Sequence, residues 1–265
     1  MTHTTQPGAA AFDELAQDYD EQFTATALGQ TLRAMAWRRF ERCFAGREYL
    51  LDVGCGTGED AVHLARLGHR VLATDASMQM VRLAARKAER AGFSDRIRFL
   101  WLPMERLGEL AGEAFDGVYS NFGAVNCAAS FDALARDLAQ LVPARAPLSL
   151  VVMGRYVPWE WAWYLARGDA ATAFRRLRRG GVRWRGLDVS YPAPATLARA
   201  FSPYFEAPRL APLGVVLPGS YASALLQRAP RTLAALTKLE RLARRRSSLA
   251  AFSDHYFFEA RRVDR

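Results

Sequence analysis

The 265-residue sequence predicts an α/β fold, a seven-stranded and mostly parallel sheet with helices on both faces. Three observations predict it. Short apolar runs alternate with segments of helical periodicity from Tyr49 to Met153, the order that gives parallel strands joined by right-handed crossovers. The first run stops at a glycine cluster that opens a helix, the corner where open sheets bind ligands. Two further runs, one within 206–217 and one at Asp254–Arg261, complete the set of strands.

Ahead of the sheet, Phe12, Leu15, Ala16 and Tyr19, then Leu32, Met35, Ala36 and Phe40, recur at helical spacing and predict N-terminal helices over 11–45. Tyr49–Val53 is short, apolar and bounded by glycine, which predicts a buried strand. A helix from Gly58 carries Ala61, Leu64 and Ala65 and closes at Gly68. Val71–Thr74 is the second strand, and Ser77 caps a helix that runs to Arg90 and ends at Gly92. Arg96–Leu100, Phe115–Ser120 and Leu148–Met153 are strands three to five, with a helix over Asp132–Leu141 before the fifth. The alternation then breaks. A Trp-rich, then Arg-rich stretch over 158–180, opened by Pro158, predicts helix; Val182–Tyr191 predicts extended chain; Thr196–Phe201 predicts a short helix; 219–250 predicts two or more helices. No repeat or linker divides the chain. It reads as one domain over 1–265, with a core over 46–154 and helical cap insertions at about 156–190 and 219–250.

Hydrophobic residues make up 51% and charged residues 24%, a globular balance that excludes wholesale disorder. No apolar run approaches the ~20 residues of a membrane span, and Met1–Ala10 lacks the basic and apolar regions of a secretory signal. Cys43, Cys55 and Cys127 show no metal-ligand spacing, and an odd number suits a reducing compartment, so a cytoplasmic location and no metal are expected. The net charge of +9 is nearly all arginine, with Lys87 and Lys238 the two lysines. Clusters at Arg175, Arg176, Arg178, Arg179, Arg183 and Arg185, and at Arg241, Arg244, Arg245 and Arg246, read as solvated helix faces or as an anion-binding surface. No aromatic-interleaved nucleic-acid module accompanies them, so nucleic acid is not the expected partner.

The segment Asp52-Val53-Gly54-Cys55-Gly56-Thr57-Gly58 carries the chemistry. Glycines at alternate positions permit a tight turn and close approach of a ligand, and Asp75, seventeen residues after Gly58, can accept bonds from both hydroxyls of a ribose. This is a nucleoside-cofactor signal, and a dinucleotide fits nearly as well. The pattern is Gly-x-Gly-x-Gly followed by Glu59 and Asp60, whose negative charge at the helix start suits a cationic sulfonium better than a pyrophosphate.

On these residues the chain resembles class I S-adenosylmethionine-dependent methyltransferases over 11–154, and more loosely to the C-terminus. Phe12–Asp20 is similar to the N-terminal signature of small-molecule members, Asp52–Gly58 to the family's first motif, Asp75-Ala76-Ser77-Met78 to its second, and Phe115-Asp116-Gly117-Val118 to its fourth strand. The resemblance implies a Rossmann-like sheet whose last strand is antiparallel, S-adenosyl-L-methionine as cofactor, and a small-molecule acceptor. It implies that Gly54, Gly56 and Gly58 wrap the methionine part, and that Asp52 orders the loop or reaches the ammonium. Asp75 holds the ribose, Met78 packs near the adenine, Asn121 faces the methionine moiety and Tyr19 closes the site. Cys55, Ala76, Met104 and Glu105 complete the expected cofactor set; Pro103-Met104-Glu105 departs from the acidic residue many relatives carry there, so Glu105 or a backbone carbonyl substitutes.

Methyl transfer is an in-line displacement that needs alignment and exclusion of water, with a base only where the acceptor arrives protonated. His255, at the start of the last strand, is the candidate base or else a structural histidine, with Tyr19 and Arg155 as the further catalytic candidates. Tyr156, Trp159, Glu160, Trp161 and Trp163 either clasp the acceptor or pack a cap; His63, His69 and Cys127 are weaker candidates. Ser120–Cys127 lacks the Asn/Asp-Pro-Pro-aromatic signature of nucleobase N-methylation. Three alternatives stand: methylation of a macromolecule or lipid through the arginines, a nicotinamide-dependent oxidoreductase, and a non-catalytic cofactor-binding protein.

Overall fold

The computed structural model describes residues 9–264, so the reading of the extreme N-terminus lies outside the described residues from Met1 to Gly8. In chain order the main elements are α1 (Ala9–Tyr19), α2 (Ala27–Cys43), β1 (Tyr49–Val53), α3 (Glu59–Arg66), β2 (Arg70–Asp75), α4 (Met78–Ala91), β3 (Ile97–Trp101), β4 (Gly117–Ser120), α5 (Phe131–Gln140) and β5 (Pro147–Met153). The cap and C-terminal part follow as α6 (Pro158–Leu165), α7 (Ala170–Ala173), β6 (Val182–Trp184), β7 (Leu187–Val189), α8 (Pro194–Phe201), β8 (Arg209–Leu213), α9 (Ser223–Gln227), α10 (Pro230–Ala243) and β9 (His255–Arg261).

Seven strands form one sheet in the order β3-β2-β1-β4-β5-β9-β8. β1 to β5 pair parallel, and β9 runs antiparallel to both of its neighbours, as the resemblance implied. Leu50 and Leu51 point to opposite faces, as successive strand residues must, and enter separate cores. One core, around Leu51, Val118 and Leu150, lies under α5 and α8. The other, around Leu50, Tyr119 and Phe257, lies under α2, α3 and α4. All parallel strands therefore end along one edge, where the loops after β1, β2, β4 and β5 meet.

Several boundaries differ from the expected ones for visible reasons. The fourth strand begins at Gly117, because the Asp116 carboxylate turns aside to accept the N–H groups of Glu48 and Tyr49, at 3.0 and 2.9 Å. Residues 158–180 are not one helix: Gly168 takes φ 75°, and Asp169 restarts the chain by capping Thr172 N–H at 2.9 Å. Residues 182–189 form a hairpin whose turn, Arg185-Gly186, has φ 48° and 84°, the primed geometry that matches strand twist. The second insertion is tied to the sheet by Glu240 of α10. Its buried carboxylate accepts N–H groups of Gly214, Val216 and Leu217 at 2.9, 2.7 and 3.1 Å.

Candidate functional site

The loop after β1 is shaped by what its glycines approach. A Cβ on Gly54, whose φ is 76°, would sit 2.3 Å from the Ala124 Cβ; one on Gly58, at φ 81°, would sit 2.8 Å from that of Ala84. The Gly54 and Cys55 N–H groups both bond Thr74 O at 2.9 Å, so the loop is anchored on β2. Asp75, at the end of β2, completes it. Its Oδ2 accepts the Gly56 N–H and its Oδ1 the Ser77 N–H, each at 2.8 Å, which links the glycine loop to the start of α4. Each oxygen keeps a second lone pair, and the side chain lines a cavity of about 990 Å³. Burial pushes its pKa up to about 6, against the opposing bonds from the Ser77 and Gly56 N–H groups.

Of the residues expected to bind cofactor, Tyr19, Gly54, Gly56, Asp75, Ala76, Met104, Glu105 and Asn121 line this cavity. Cys55 and Gly58 shape the loop without lining the cavity. Met78 does not line it; Met80 does. Met78 is the first residue of α4, and Met80, whose N–H Ser77 caps at 3.1 Å, turns the buried face inward. Leu102, Ala128 and Ala129 line the same end, where Glu105 Oε1 accepts the Ala129 N–H at 3.4 Å.

Of the two roles expected of Asp52, ordering the loop through its N–H groups is not seen. Asp52 makes no bond to them, lies 1% exposed outside the cavity wall, and leaves Oδ2 unpartnered. Burial, then the charge of Asp60, raises its pKa well above the usual range; the Tyr119 hydroxyl acts on it without a bond of normal geometry. A buried carboxylate oxygen without a donor is the kind of acceptor that an ammonium group satisfies. The acids of the first turn of α3 are not bare either. Asp60 accepts Arg33 Nη1 at 2.8 Å, Trp37 Nε1 at 2.7 Å and Asn121 Nδ2 at 3.0 Å, and Glu59 pairs with Lys87 at 2.7 Å. Repulsion of a pyrophosphate by this turn is thereby blunted, because α2 and α4 supply the counter-charges.

The N-terminal segment closes one side. Asp13 accepts bonds from the Ser77 hydroxyl and the Gln79 N–H, and Asp20 bonds Thr57 at 2.6 Å and Lys87 at 2.7 Å. Tyr19 therefore sits beside the glycine loop, where burial raises its pKa and Arg33 opposes that rise.

The loop after β4 and the hairpin build the adjoining wall and meet the N-terminal segment, with Phe12 against Trp184 at 6.2 Å between centroids. Phe122 adopts φ 47° and its ring meets Phe23 at 4.8 Å between centroids. Asn126, fully buried, accepts the Met153 N–H at 2.8 Å and donates to Met153 O and Ser190 O at 3.2 and 2.7 Å, fastening β5 to the chain leaving the hairpin. Asn126→Ala leaves those groups unpaired. We expect a loss of about 2–4 kcal/mol, read as a fall of several degrees in Tm.

His255 and Arg155 do not line the cavity. His255 lies at the expected edge, paired with Met153, but its Nδ1 is held by Asp254 at 2.9 Å and its ring packs edge-on against Phe122, which does line the cavity. Arg155 donates to Leu177 O at 2.9 Å and holds the cap. Tyr156, Trp159, Trp161 and Trp163 are also outside the wall; Trp161 packs on Phe174 and Trp163 on Tyr221. Cys127 lines the cavity, but burial pushes its thiol up to about 12, so it carries no thiolate at neutral pH. Sequence reasoning missed Arg175, Arg183, Trp184, Asp188, Ser190 and Tyr191 as cavity residues. The available signal was Arg185-Gly186 between two short extended runs.

Residues 50–143 match a family described as "Methyltransferase domain". The chain is 36% identical over 93 residues to the tRNA 5-carboxymethoxyuridine methyltransferase of Escherichia coli (strain K12), covering 34% of this chain and 36% of that protein. It therefore spans about a third of the length of the first curated relatives it matches. To the demethylmenaquinone methyltransferase of Symbiobacterium thermophilum it is 26% identical over 214 residues, 72% of this chain and 80% of that one. Among solved structures, the [4+2]-cyclase SpnF superposes with a TM-score of 0.66 at 17% identity, covering 98% of this chain and 96% of that one. Residues 50–143 are thus similar to a methyltransferase domain, and the chain as a whole shares its fold with SpnF.

Proposed function

We propose that the chain transfers a methyl group from S-adenosylmethionine to a small-molecule acceptor. The observation that carries this reading is the Asp75 carboxylate, which bonds the Gly56 and Ser77 N–H groups and still faces the cavity. Its free lone pairs suit the two ribose hydroxyls, Gly54 and Gly56 leave room for the methionine part, and Leu102, Met104 and Ala128 give the adenine an apolar slot.

Bound there, the cofactor supplies a methyl group already activated on a sulfonium. The protein's part is alignment and exclusion of water. Tyr19 and Phe122 cover the cavity from the N-terminal side and the β4 loop, and the hairpin residues Arg183 and Trp184, with Tyr191 just after the hairpin, cover it from the cap. His255 is kept only as a positioning residue behind Phe122, and Arg155 as a brace of the cap.

The acceptor is set by the cap and not by the matched core. Relatives that share the core are named for a tRNA uridine, for demethylmenaquinone and for ubiquinone biosynthesis. A nucleic-acid acceptor is the second reading, favoured by the Escherichia coli relative and by the arginines at the cavity. A cytoplasmic setting suits the three free cysteines. Among the described residues no helix is long and apolar enough to cross a membrane.

The test is calorimetry with S-adenosylhomocysteine, followed by transfer of labelled methyl from S-adenosylmethionine to metabolite and RNA pools. Label in small molecules supports the proposal; label in RNA alone favours the second reading. Cofactor binding without transfer to either pool points to a non-catalytic protein or another chemistry on the same fold, as the name of SpnF illustrates.

A further inference from the structure

The charge of this chain is concentrated on one part of it. Residues 155–252 carry 17 Lys and Arg against five Asp and Glu, whereas all other residues carry 19 against 22. Two of those five acids, Glu160 and Glu240, are buried against partners within the fold. The same stretch holds the exposed apolar groups. Among the described residues, nine of the eleven large exposed hydrophobic side chains lie between Tyr156 and Phe252.

Four of the aromatic groups join into a strip. Phe252, 50% exposed, packs on Tyr156 at 5.9 Å between ring centroids, Tyr156 meets Trp161 at 6.5 Å, and Trp161 meets Phe174 at 6.0 Å. Trp159, 39% exposed, stands on the same short helix. Leu239 and Leu242 project from α10 at 52% and 59% exposure, and Arg245 and Arg246 lead from that helix towards Phe252. Among the described residues, neither of these arginines pairs with a carboxylate. The strip reaches the cavity, since Arg175, next to Phe174, lines it.

We propose that this face seats the chain on an anionic lipid surface, aromatic and leucine side chains entering the headgroup region and the arginines meeting phosphates. Arginines with interfacial tryptophan, phenylalanine and leucine are what such a surface rewards. A second copy of the chain would set like surpluses of charge against each other. A nucleic acid would reward the arginines but leave Leu239, Leu242 and Phe252 exposed. Seated in this way, the cavity opens beside the bilayer, which on the methyltransferase reading gives access to an acceptor dissolved in lipid; the seating itself does not depend on that reading.

The test is co-sedimentation with vesicles of phosphatidylcholine alone and with about one third phosphatidylglycerol, at low and at roughly tenfold higher salt. Binding is expected to the anionic vesicles at low salt. It should weaken by at least about tenfold in Arg245→Glu/Arg246→Glu and again in Trp159→Ser/Phe252→Ser. S-adenosylhomocysteine binding and the melting curve of each variant show that the fold and the cofactor cavity survive, so loss of seating is separable from loss of the site. As an independent readout, brominated lipid should quench the tryptophan fluorescence of the parent more than that of Trp159→Phe. Equal binding to neutral and anionic vesicles, no binding at low salt, or an aromatic variant that binds like the parent would overturn the proposal. Tighter capture by RNA that is indifferent to the aromatic pair would do the same.

Discussion

Replacing Asp75 with Asn is expected to weaken S-adenosylhomocysteine binding by roughly 10- to 100-fold, the range that hydrogen bonds to a charged group span. The Asn side chain keeps one acceptor oxygen, but its NH2 would face the Gly56 or the Ser77 N–H, where the carboxylate now accepts both at 2.8 Å. One ribose contact and one loop anchor are lost together. The pH dependence has a definite sign. Burial raises this carboxyl from 3.8 to about 6. Between those values the folded chain holds a proton that the unfolded chain has released, so this group's contribution to stability falls as pH rises through that window. Affinity moves the other way, because ribose hydroxyls donate to the ionised form. Binding by the parent should strengthen about tenfold between about pH 5 and pH 7 and then level off. In Asp75→Asn that rise should be absent. Calorimetry across pH checks both, and an Asn variant with parental affinity would remove Asp75 from the site.

Arg176→Met is expected to cost about 3–5 kcal/mol, the loss typical of breaking a buried ion cluster from one side, and to lower Tm by roughly 10 °C. The side chain is 6% exposed. It donates to Gly154 O and Asp254 O at 3.1 Å each and to Asp254 Oδ1 at 2.8 Å, and lies 2.7 Å from Glu160 Oε2 as an ion pair. These contacts bind the ends of β5 and α6 to the start of β9, and so hold the cap over the cavity. Burial opposes ionisation of Asp254, yet Arg176 and His255 hold its pKa well below the usual range. Stability from that group is present above the unfolded value of 3.8 and fades as pH falls through the lower folded value. The Met variant should lose that contribution at neutral pH and show a smaller difference from the parent in acid. Arg176→Lys, which keeps the charge but not the fork, should fall between the two in thermal melts. A Met variant that melts with the parent would show that the cluster does not hold the cap.

The sheet was legible because parallel strands buried on both faces leave continuous apolar runs, and because Gly54, Gly56, Gly58 and Asp75 sit at fixed distances along the chain. What sequence reasoning placed poorly depends on contacts across long separations. Asp52 reads as a loop anchor until Thr74 O is seen to take the loop N–H groups. Glu59 and Asp60 read as bare acids until Lys87 and Arg33, from two other helices, neutralise them. Met78 and Met80 differ only in which face of α4 they occupy. The arginine cluster was the hardest to read, since helix periodicity cannot separate Arg176, locked in a buried cluster, from Arg183, which lines a cavity, or from Arg178, exposed to solvent. Tryptophans 159, 161 and 163 were drawn towards the acceptor by their place after β5, yet the Gly168 break folds that stretch into a cap outside the cavity wall.

The most direct measurement titrates the purified full chain with S-adenosylhomocysteine and, separately, with NADH. Saturable heat from the first, reduced in Asp75→Asn, and none from the second is the expected result. Saturation by the nicotinamide nucleotide, with silence from the adenosyl thioether, would contradict the account at its root.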